Sequence, residues 1–147
     1  MASLGRALAI PKGCAAAATG ASTTTSAAAK NPASILNGVY RVEWSEKELI
    51  AARTSPRYAH SNCPGRCVLT LTLRDGHLRV HGFPPPDCLG TYTVAGKTVS
   101  ILYTVACHGL INATWSLLNG QLHLHVTRAT DPGDEITFGA KPWKKIV

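Results

Sequence analysis

The sequence lacks the residue patterns that mark the common catalytic sites. It contains no carboxylate pair spaced for acid–base chemistry, no nucleophile elbow and no glycine-rich loop that would cradle a phosphate. We therefore expect no catalytic residue, no cofactor and a protein that is not an enzyme. No apolar run approaches the roughly 18 to 20 residues that a membrane-spanning helix requires, so we expect no such helix.

Acidic residues are scarce: 8 Asp and Glu stand against 15 Lys and Arg, for a formal net charge of +7. The basic residues are scattered along the chain, and Lys144-Lys145 is the only adjacent pair. Nucleic-acid-binding proteins usually concentrate basic charge on one face and interleave it with aromatic residues. We therefore predict a solvated basic surface and no nucleic-acid partner, with weak attraction to an anionic envelope or acidic ligand as the alternative.

The first 36 residues differ in composition from the rest. Residues 15–34 are almost wholly Ala, Ser, Thr and Gly, a composition that cannot bury a core and is typical of a flexible spacer. Residues 4–14 resemble a degenerate bacterial lipoprotein leader, which makes Cys14 a lipidation candidate and a lipid anchor the one expected membrane contact. The alternatives are a start further upstream, a decayed leader or a merely disordered tail. We expect a disordered tail over residues 1–36 and one β-barrel domain over residues 37–147.

Four of the five cysteines lie in the predicted domain. An even number in a small β domain favours two disulfides in an oxidising compartment, so we expect an extracellular or cell-envelope protein. The preferred pairing is Cys63–Cys67, which would close a Pro-Gly turn, and Cys88–Cys107, which would tie the loop after a proline run to the end of the fifth strand. The two other pairings, free thiols and a zinc ion remain alternatives, and we expect no metal.

The domain reads as eight short strands with one helix. Alternating apolar residues predict strands at 38–44, 68–73, 78–81, 90–94, 98–105, 110–117, 121–128 and 136–138. Asp75-Gly76 and Asn119-Gly120 suit tight hairpin turns, because both central residues of such a turn need positive φ. Ser45 and Glu48 form a capping box that starts a helix over 46–53. Residues 54–66 are predicted as a long loop.

Sequential antiparallel strands in this number must cover their edges or close. We therefore predict an all-β fold, an eight-stranded up-and-down antiparallel barrel with one short α-helix after the first strand. Asp131 to Asp134 is predicted as a turn before the last strand, and Trp143, after Pro142, as a plug at one barrel end.

Several segments together resemble a known domain. They are Gly38-Val-Tyr-Arg with Trp44 and Glu48-Leu49, Leu71-Thr-Leu-Arg-Asp-Gly76, Gly90-Thr-Tyr-Thr-Val94 and Lys141-Pro-Trp-Lys144. These segments resemble a lipocalin-like β-barrel domain of actinobacterial exported proteins, found in some solute-binding proteins of ABC transporters and in lipoproteins. The resemblance covers about residues 37–146. It implies a barrel with a lid between its first two strands and an association with solute uptake, and it carries over no catalytic residue.

Side chains on the predicted inner faces are candidates for a ligand cavity, because such cavities are mostly apolar with a few polar groups. They are Tyr40, Trp44, Leu71, Tyr92, Tyr103, Trp115 and Leu124. The expected function is binding of a small, largely apolar molecule inside the barrel, gated by residues 45–66. The second candidate is a filled barrel that contacts another envelope protein. The third is a hydrolase or isomerase-like enzyme on the same scaffold, with His60, His81 or His108 at the open end.

Three further motifs favour a structural interpretation. His123 and His125 alternate with leucines, so they are predicted on the outer wall rather than as metal ligands. Asp131, Asp134 and Glu135 do not match a calcium loop and are expected to stabilise a turn. Asn112-Ala-Thr114 matches a glycosylation pattern but lies within a predicted strand.

Overall fold

The computed structural model of the chain describes residues 31–147, and its central feature is a closed barrel of eight antiparallel strands. Each strand pairs with the next along the chain, and the last pairs with the first. The strands are β1 (Gly38–Ser45), β2 (Arg66–Arg74), β3 (His77–His81), β4 (Cys88–Ala95), β5 (Thr98–Val105), β6 (Leu110–Leu118), β7 (Gln121–Ala129) and β8 (Trp143–Lys145). The predicted eight-stranded up-and-down barrel is confirmed.

The strands form because apolar and polar residues alternate with the pleat. In β2, Leu69, Leu71 and Leu73 are buried while the threonines between them lie on the other face. Asp75 and Gly76 turn the chain into β3 with φ values of 47° and 92°. The turn of the β6–β7 hairpin repeats this pattern, so both predicted hairpin turns have the positive φ that their residue types favour.

Two short helices follow β1. Helix α1 (Glu46–Ala51) begins with the expected capping box, in which the Ser45 side chain accepts from the Glu48 N–H and the Glu48 carboxylate accepts from the Ser45 N–H. Helix α2 (Pro56–Asn62) begins at Ser55, whose side chain accepts from the Tyr58 N–H. The sequence predicted a loop there. The signal was present, since a serine cap followed by proline at the first helical position is a common helix start.

The segment before β8 differs from the prediction. Residues 136–138 were expected to be the last strand, but they lie in helix α3 (Pro132–Gly139). Asp131 caps this helix by accepting from the Gly133 N–H at 2.8 Å, and Pro132 supplies the preset φ of a first turn. The predicted turn is therefore a helix start, and the last strand of the barrel is β8. Within residues 31–147, no helix is long and apolar enough to cross a membrane.

A bulge between β4 and β5 moves one side chain out of the core. The pairing shifts between Leu89, which faces Val105, and Gly90, which faces Tyr103. A Cβ at Gly90 would come within 2.2 Å of the Leu102 carbonyl oxygen, so this close approach requires glycine. The shift leaves Val105 exposed, although it continues the alternation of the buried Ile101 and Tyr103.

An up-and-down barrel places alternate connections at the same end. The hairpin turns β2–β3, β4–β5 and β6–β7 share one end, which we call the turn end. A 3₁₀ helix (Pro32–Leu36) covers the turn end, with Ala33 and Leu36 buried against the barrel. This helix packs against the barrel although it lies within residues 1–36, the stretch predicted as a tail.

The opposite end, which we call the helix end, carries α1, α2, α3 and the longer loops. Both disulfides lie there: Cys63 pairs with Cys67, and Cys88 pairs with Cys107, as preferred from the sequence. The first joins the end of α2 to the start of β2, and the second joins the start of β4 to the loop after β5. Trp143 is fully buried in β8 and lies 5.3 Å from the Phe138 ring of α3, centroid to centroid.

Candidate functional site

The barrel interior holds all seven side chains that were singled out as cavity candidates. Their exposed fractions lie between 0 and 7%, and the set is Tyr40, Trp44, Leu71, Tyr92, Tyr103, Trp115 and Leu124. Strand alternation therefore placed them on the inner face as predicted. Their role as a ligand cavity stays a prediction.

Four of these aromatic side chains have polar atoms that bond to the protein's own backbone. The hydroxyls of Tyr40 and Tyr92 donate to the carbonyls of Leu36 and Ala33, each at 2.9 Å. The Trp115 indole N–H donates to the Gly96 carbonyl at 3.1 Å, and the Trp44 indole N–H donates to the Thr137 carbonyl at 3.3 Å. These polar groups are therefore satisfied without a ligand.

Tyr103 differs from the other interior tyrosines. Its side chain is 6% exposed, and its hydroxyl is buried without a hydrogen-bond partner in the part of the chain that the structure describes. Burial raises the pKa of this hydroxyl well above its usual value, and the charge of Asp134 raises it further. The hydroxyl is therefore neutral, and it can both donate and accept a hydrogen bond.

Tyr103 lines a cleft of about 170 Å³ at the helix end. The lining residues come from α2, the β3–β4 loop, β5, the β5–β6 loop and the start of α3, and they are Tyr58, Asn62, Phe83, Tyr103, Ala106, Cys107, His108, Asp131 and Asp134. The Cys88–Cys107 disulfide and a hydrogen bond from the Tyr103 N–H to the Gly109 carbonyl, at 3.1 Å, hold the β5–β6 loop beside Tyr103. The cleft thus joins segments that are far apart in sequence.

The fit between α2 and α3 shapes one wall of the cleft. A Cβ at Gly133 would come within 2.3 Å of the Tyr58 ring, so the ring lies against the glycine backbone. The Tyr58 hydroxyl donates to Asp134 Oδ1 at 2.9 Å and contacts the Thr137 hydroxyl at 2.9 Å. Asn62 Nδ2 donates to the Tyr58 carbonyl at 3.0 Å. The Oδ1 atom of the same side chain remains available to accept a hydrogen bond.

Asp134 is the most perturbed carboxyl group of the cleft. Burial raises its pKa to about 6, the negative charge of Asp131 adds to the rise, and the hydrogen bond from Tyr58 opposes it. Burial and the Asp134 charge together raise the pKa of the Tyr58 hydroxyl. Within residues 31–147, Asp134 has no ion-pair partner, whereas the carboxylates of Glu43, Glu48 and Asp87 have cationic partners.

A larger hollow of about 310 Å³ lies beside β1 and β8, and three of its charged lining residues, Arg41, Glu43 and Lys141, are in ion pairs. Arg41 and Arg66 both pair with Glu43. Lys141 Nζ lies 2.8 Å from Glu48 Oε1 and donates to the Glu43 carbonyl at 2.8 Å. The cleft at Tyr103 is the better candidate, because among residues 31–147 the Tyr103 hydroxyl has no hydrogen-bond partner and Asp134 has no ion-pair partner.

The other histidines singled out from the sequence do not join the cleft. His60 lies 3.4 Å from Glu46, and His81 lies 2.8 Å from Asp87, so each has its own carboxylate. His123 and His125 alternate with the buried Leu122 and Leu124 in β7, as predicted for the outer wall. Only His108 of the three enzyme candidates lines the cleft.

The remaining candidate sites give little chemistry. Among residues 31–147, no group of three or more His, Cys, Asp or Glu could hold a metal ion. Asn112 lies within β6, where its Oδ1 atom is buried without a described partner. Cys14 lies outside the described residues.

Sequence reasoning did not identify most of the cleft. Tyr58, Asn62 and Phe83 lie in segments predicted as loops, and the sequence predicts for Asp134 only a place in an acidic turn. The Ser55-Pro56 and Asp131-Pro132 pairs were the available signals, because each starts a helix that carries a lining residue.

No protein-family model matches the chain, and comparisons with curated proteins and with solved structures found no match. The likeness to a lipocalin-like domain of actinobacterial exported proteins thus stays a prediction. The fold is that of a closed up-and-down barrel.

Proposed function

We propose that this protein is an exported or envelope-tethered barrel that binds a small ligand in the cleft at the helix end. The observation that carries the proposal is that Tyr103 lines this cleft and that its hydroxyl is buried without a hydrogen-bond partner among residues 31–147. A buried polar group without a hydrogen bond costs about 1–3 kcal/mol. A polar ligand atom that bonds to this hydroxyl recovers that cost, so the cleft favours an occupant.

The cleft is a better place for the ligand than the barrel interior. The hydroxyls of Tyr40 and Tyr92, in the barrel interior, donate to backbone carbonyls and need no ligand. Helix α2 supplies Tyr58 and Asn62 to the cleft. The segment 45–66, expected from the sequence to gate the barrel, therefore forms one wall of the proposed site.

The setting of the proposed function is the cell envelope or the extracellular space. Disulfides persist in oxidising compartments, and both disulfides of the barrel lie at the helix end. Delivery of the ligand to an ABC transporter is the role that the sequence resemblance implies. Protein purified from its host and denatured without reductant is expected to show no free thiol among Cys63, Cys67, Cys88 and Cys107. Four titratable thiols would contradict an exported protein.

The ligand site is tested by closing the cleft at its rim. We expect His108→Trp to obstruct the opening, because His108 is an exposed residue of the lining. His123→Trp adds the same side chain to the outer wall and serves as the matched control. Native mass spectrometry of protein purified from its host is expected to show a retained small molecule in the wild type and in the control, and to lose it in His108→Trp.

A thermal-shift screen of small molecules extends the same test to ligands that do not survive purification. Ligands that raise the melting temperature of the wild type and the control, but not of His108→Trp, support the cleft. Equal binding by both variants would contradict it and favour the barrel interior. Absence of any ligand in both experiments would contradict ligand binding and favour the alternative of an interaction domain with a filled barrel.

A further inference from the structure

We propose that the cleft at the helix end binds a compact ammonium group, such as the end of a primary alkylamine, with Asp134, Tyr103 and Asn62 as its hydrogen-bond acceptors. This inference rests on the proposed function and names the chemical class of its ligand. An ammonium group carries one positive charge and three N–H donors. It therefore suits a pocket that offers several acceptors and a negative charge.

The side chains of the cleft offer more free acceptors than free donors. The Tyr58 hydroxyl already donates to Asp134 Oδ1. The Asn62 amide group already donates to the Tyr58 carbonyl, so its Oδ1 atom is the part that remains to accept. Among residues 31–147, Tyr58 is the one side chain that bonds to the Asp134 carboxylate, through Oδ1, which leaves Oδ2 to accept as well. The hydroxyl of Tyr103 is the third acceptor.

The charge of the lining also favours a cation. The chain has 15 Lys and Arg against 8 Asp and Glu. Nevertheless, the described lining contains Asp131 and Asp134 and no Lys or Arg. An ionised carboxylate that is largely buried without a cation is unfavourable, so a ligand cation would stabilise it. An anion in the same place would meet two carboxylates, and we expect the cleft to exclude it.

The cleft has room for a small ligand with an apolar portion. Its volume of about 170 Å³ is close to that of an engineered apolar cavity of about 150 Å³ that holds benzene. Tyr58, Phe83 and Tyr103 supply aromatic walls. Aromatic rings contact alkyl groups favourably, and their faces attract cations. An alkylammonium ion of about five heavy atoms fits this combination of size, apolar wall and acceptors.

A metal ion fits the cleft less well than an ammonium ion. Calcium takes about six to eight oxygen ligands. The described lining supplies two carboxylates, and Asp131 already accepts from the Gly133 N–H. Among residues 31–147, no cluster of three or more His, Cys, Asp or Glu has the arrangement of a metal site.

The test is an NMR titration of the full chain with butylammonium chloride, and 1-butanol is the uncharged probe of the same length. A ligand of this size binds at best in the micromolar range and more commonly in the millimolar range. We expect butylammonium to bind at least about tenfold more tightly than 1-butanol, because a hydrogen bond to a charged group adds about one to two decades in affinity. Equal affinities would overturn the inference.

Two variants and one control locate the interaction. Asp134→Asn is expected to weaken butylammonium binding about tenfold or more, and Tyr103→Phe to weaken it about threefold to tenfold. Asp75→Asn removes a carboxylate at the turn end, where asparagine also suits the positive φ of 47°, and should leave binding unchanged. Unchanged affinity in Asp134→Asn would overturn the assignment.

The pH dependence gives a readout that a merely structural role of Asp134 would not produce. The titratable groups that line the same cleft are Asp131, Tyr58, Tyr103 and His108. Burial sets the pKa of Asp134 at about 6, so lowering the pH from 7.5 to 5 neutralises most of its charge. Butylammonium affinity is expected to fall about tenfold over this interval in the wild type and to stay nearly constant in Asp134→Asn. A flat wild-type profile would contradict the role of Asp134.

The outcomes separate this inference from the proposed function. Binding of neutral or anionic molecules that His108→Trp abolishes, together with no preference for butylammonium, would preserve the ligand site and overturn its ammonium specificity. Tighter binding of calcium chloride than of butylammonium would overturn it in favour of a metal. Failure of butylammonium to bind the wild-type protein would overturn the ammonium inference, whereas the proposed function falls only if the mass spectrometry and the thermal-shift screen also find no ligand.

Discussion

The two ends of the barrel differ in how completely the polar groups of their buried aromatic side chains are hydrogen-bonded. At the turn end, the hydroxyls of Tyr40 and Tyr92 donate to carbonyls of the 3₁₀ helix, and the Trp115 indole donates to a turn carbonyl. At the helix end, the Tyr103 hydroxyl has no described partner, and burial raises the pKa of Asp134 to about 6. A fully satisfied end stabilises the fold, whereas unmatched polar groups beside a cleft favour a ligand.

The means of closure differ as well. Leu36 and the hydrogen bonds from tyrosines close the turn end, where residues 31–147 contribute no disulfide. Both disulfides lie at the helix end, where helices and long loops have fewer backbone pairs to hold them. A disulfide that closes a loop limits the unfolded chain and keeps the loop near its native position. The helix end can therefore keep a cleft open at a modest cost in stability.

The largest effect should come from the side chain that plugs the turn end. Leu36 is 1% exposed, so Leu36→Ala is expected to lower the free energy of unfolding by about 2–5 kcal/mol. Its neighbour Ile35 is 56% exposed, and Ile35→Ala should change stability by less than about 0.5 kcal/mol. Urea denaturation at pH 7 measures both. A small loss of stability in Leu36→Ala, similar to that in Ile35→Ala, would show that the 3₁₀ helix is not part of the barrel core.

The next effect concerns Asp134 at the helix end and depends on pH. Its pKa of about 6 in the folded protein lies above the value of about 3.9 in an unfolded chain. The folded state therefore binds more protons between these values, and its stability falls as the pH rises from 4 to 6. The full loss, about 3 kcal/mol, is present above pH 6 and absent below pH 4.

Asp134→Asn removes this penalty, and Asn retains an oxygen to accept from Tyr58. We expect the variant to be more stable than the wild type by up to about 3 kcal/mol at pH 7.5 and to show little gain at pH 4. Glu43, Glu48 and Asp87 have lowered pKa values from their ion pairs and hydrogen bonds, so they contribute the opposite slope to both proteins. The difference between the two stability curves isolates Asp134, and parallel curves would contradict its raised pKa.

A third prediction concerns the contact between α2 and α3. A Cβ at Gly133 would lie 2.3 Å from the Tyr58 ring, so Gly133→Ala must displace that ring. We expect a loss of about 1–3 kcal/mol from overpacking, together with weaker ligand binding because Tyr58 and Asp134 shift. Gly139→Ala in the same helix is the control, since its nearest contact is a Val126 methyl group at 3.2 Å. Equal changes in stability in Gly133→Ala and Gly139→Ala would show that helix propensity, and not the contact with Tyr58, determines the effect.

The barrel could be predicted from the sequence because its signals are local. Strict alternation in β2 and the Asp-Gly and Asn-Gly turns each follow from a few adjacent residues. The cleft could not be predicted in this way, because Tyr58, Tyr103 and Asp134 meet only after the barrel closes. Residues 136–138 were assigned to a strand from their apolar character, whereas the cap at Asp131 and the proline after it start a helix. The helix cap and the proline therefore determined the conformation of residues 136–138, and their short apolar pattern did not.

The smallest effect compares one tyrosine from each end. Tyr92→Phe removes a hydroxyl that donates to the Ala33 carbonyl at 2.9 Å, and it should cost about 0.5–1.5 kcal/mol because a buried hydrogen bond is lost. Tyr103→Phe removes a hydroxyl without a described partner, so we expect unchanged stability or a gain of up to about 1 kcal/mol. Urea denaturation of the ligand-free proteins compares them. A loss in Tyr103→Phe as large as that in Tyr92→Phe would show that the Tyr103 hydroxyl is satisfied in the folded protein, and the distinction between the two ends would then fail at the residue on which the proposed site depends.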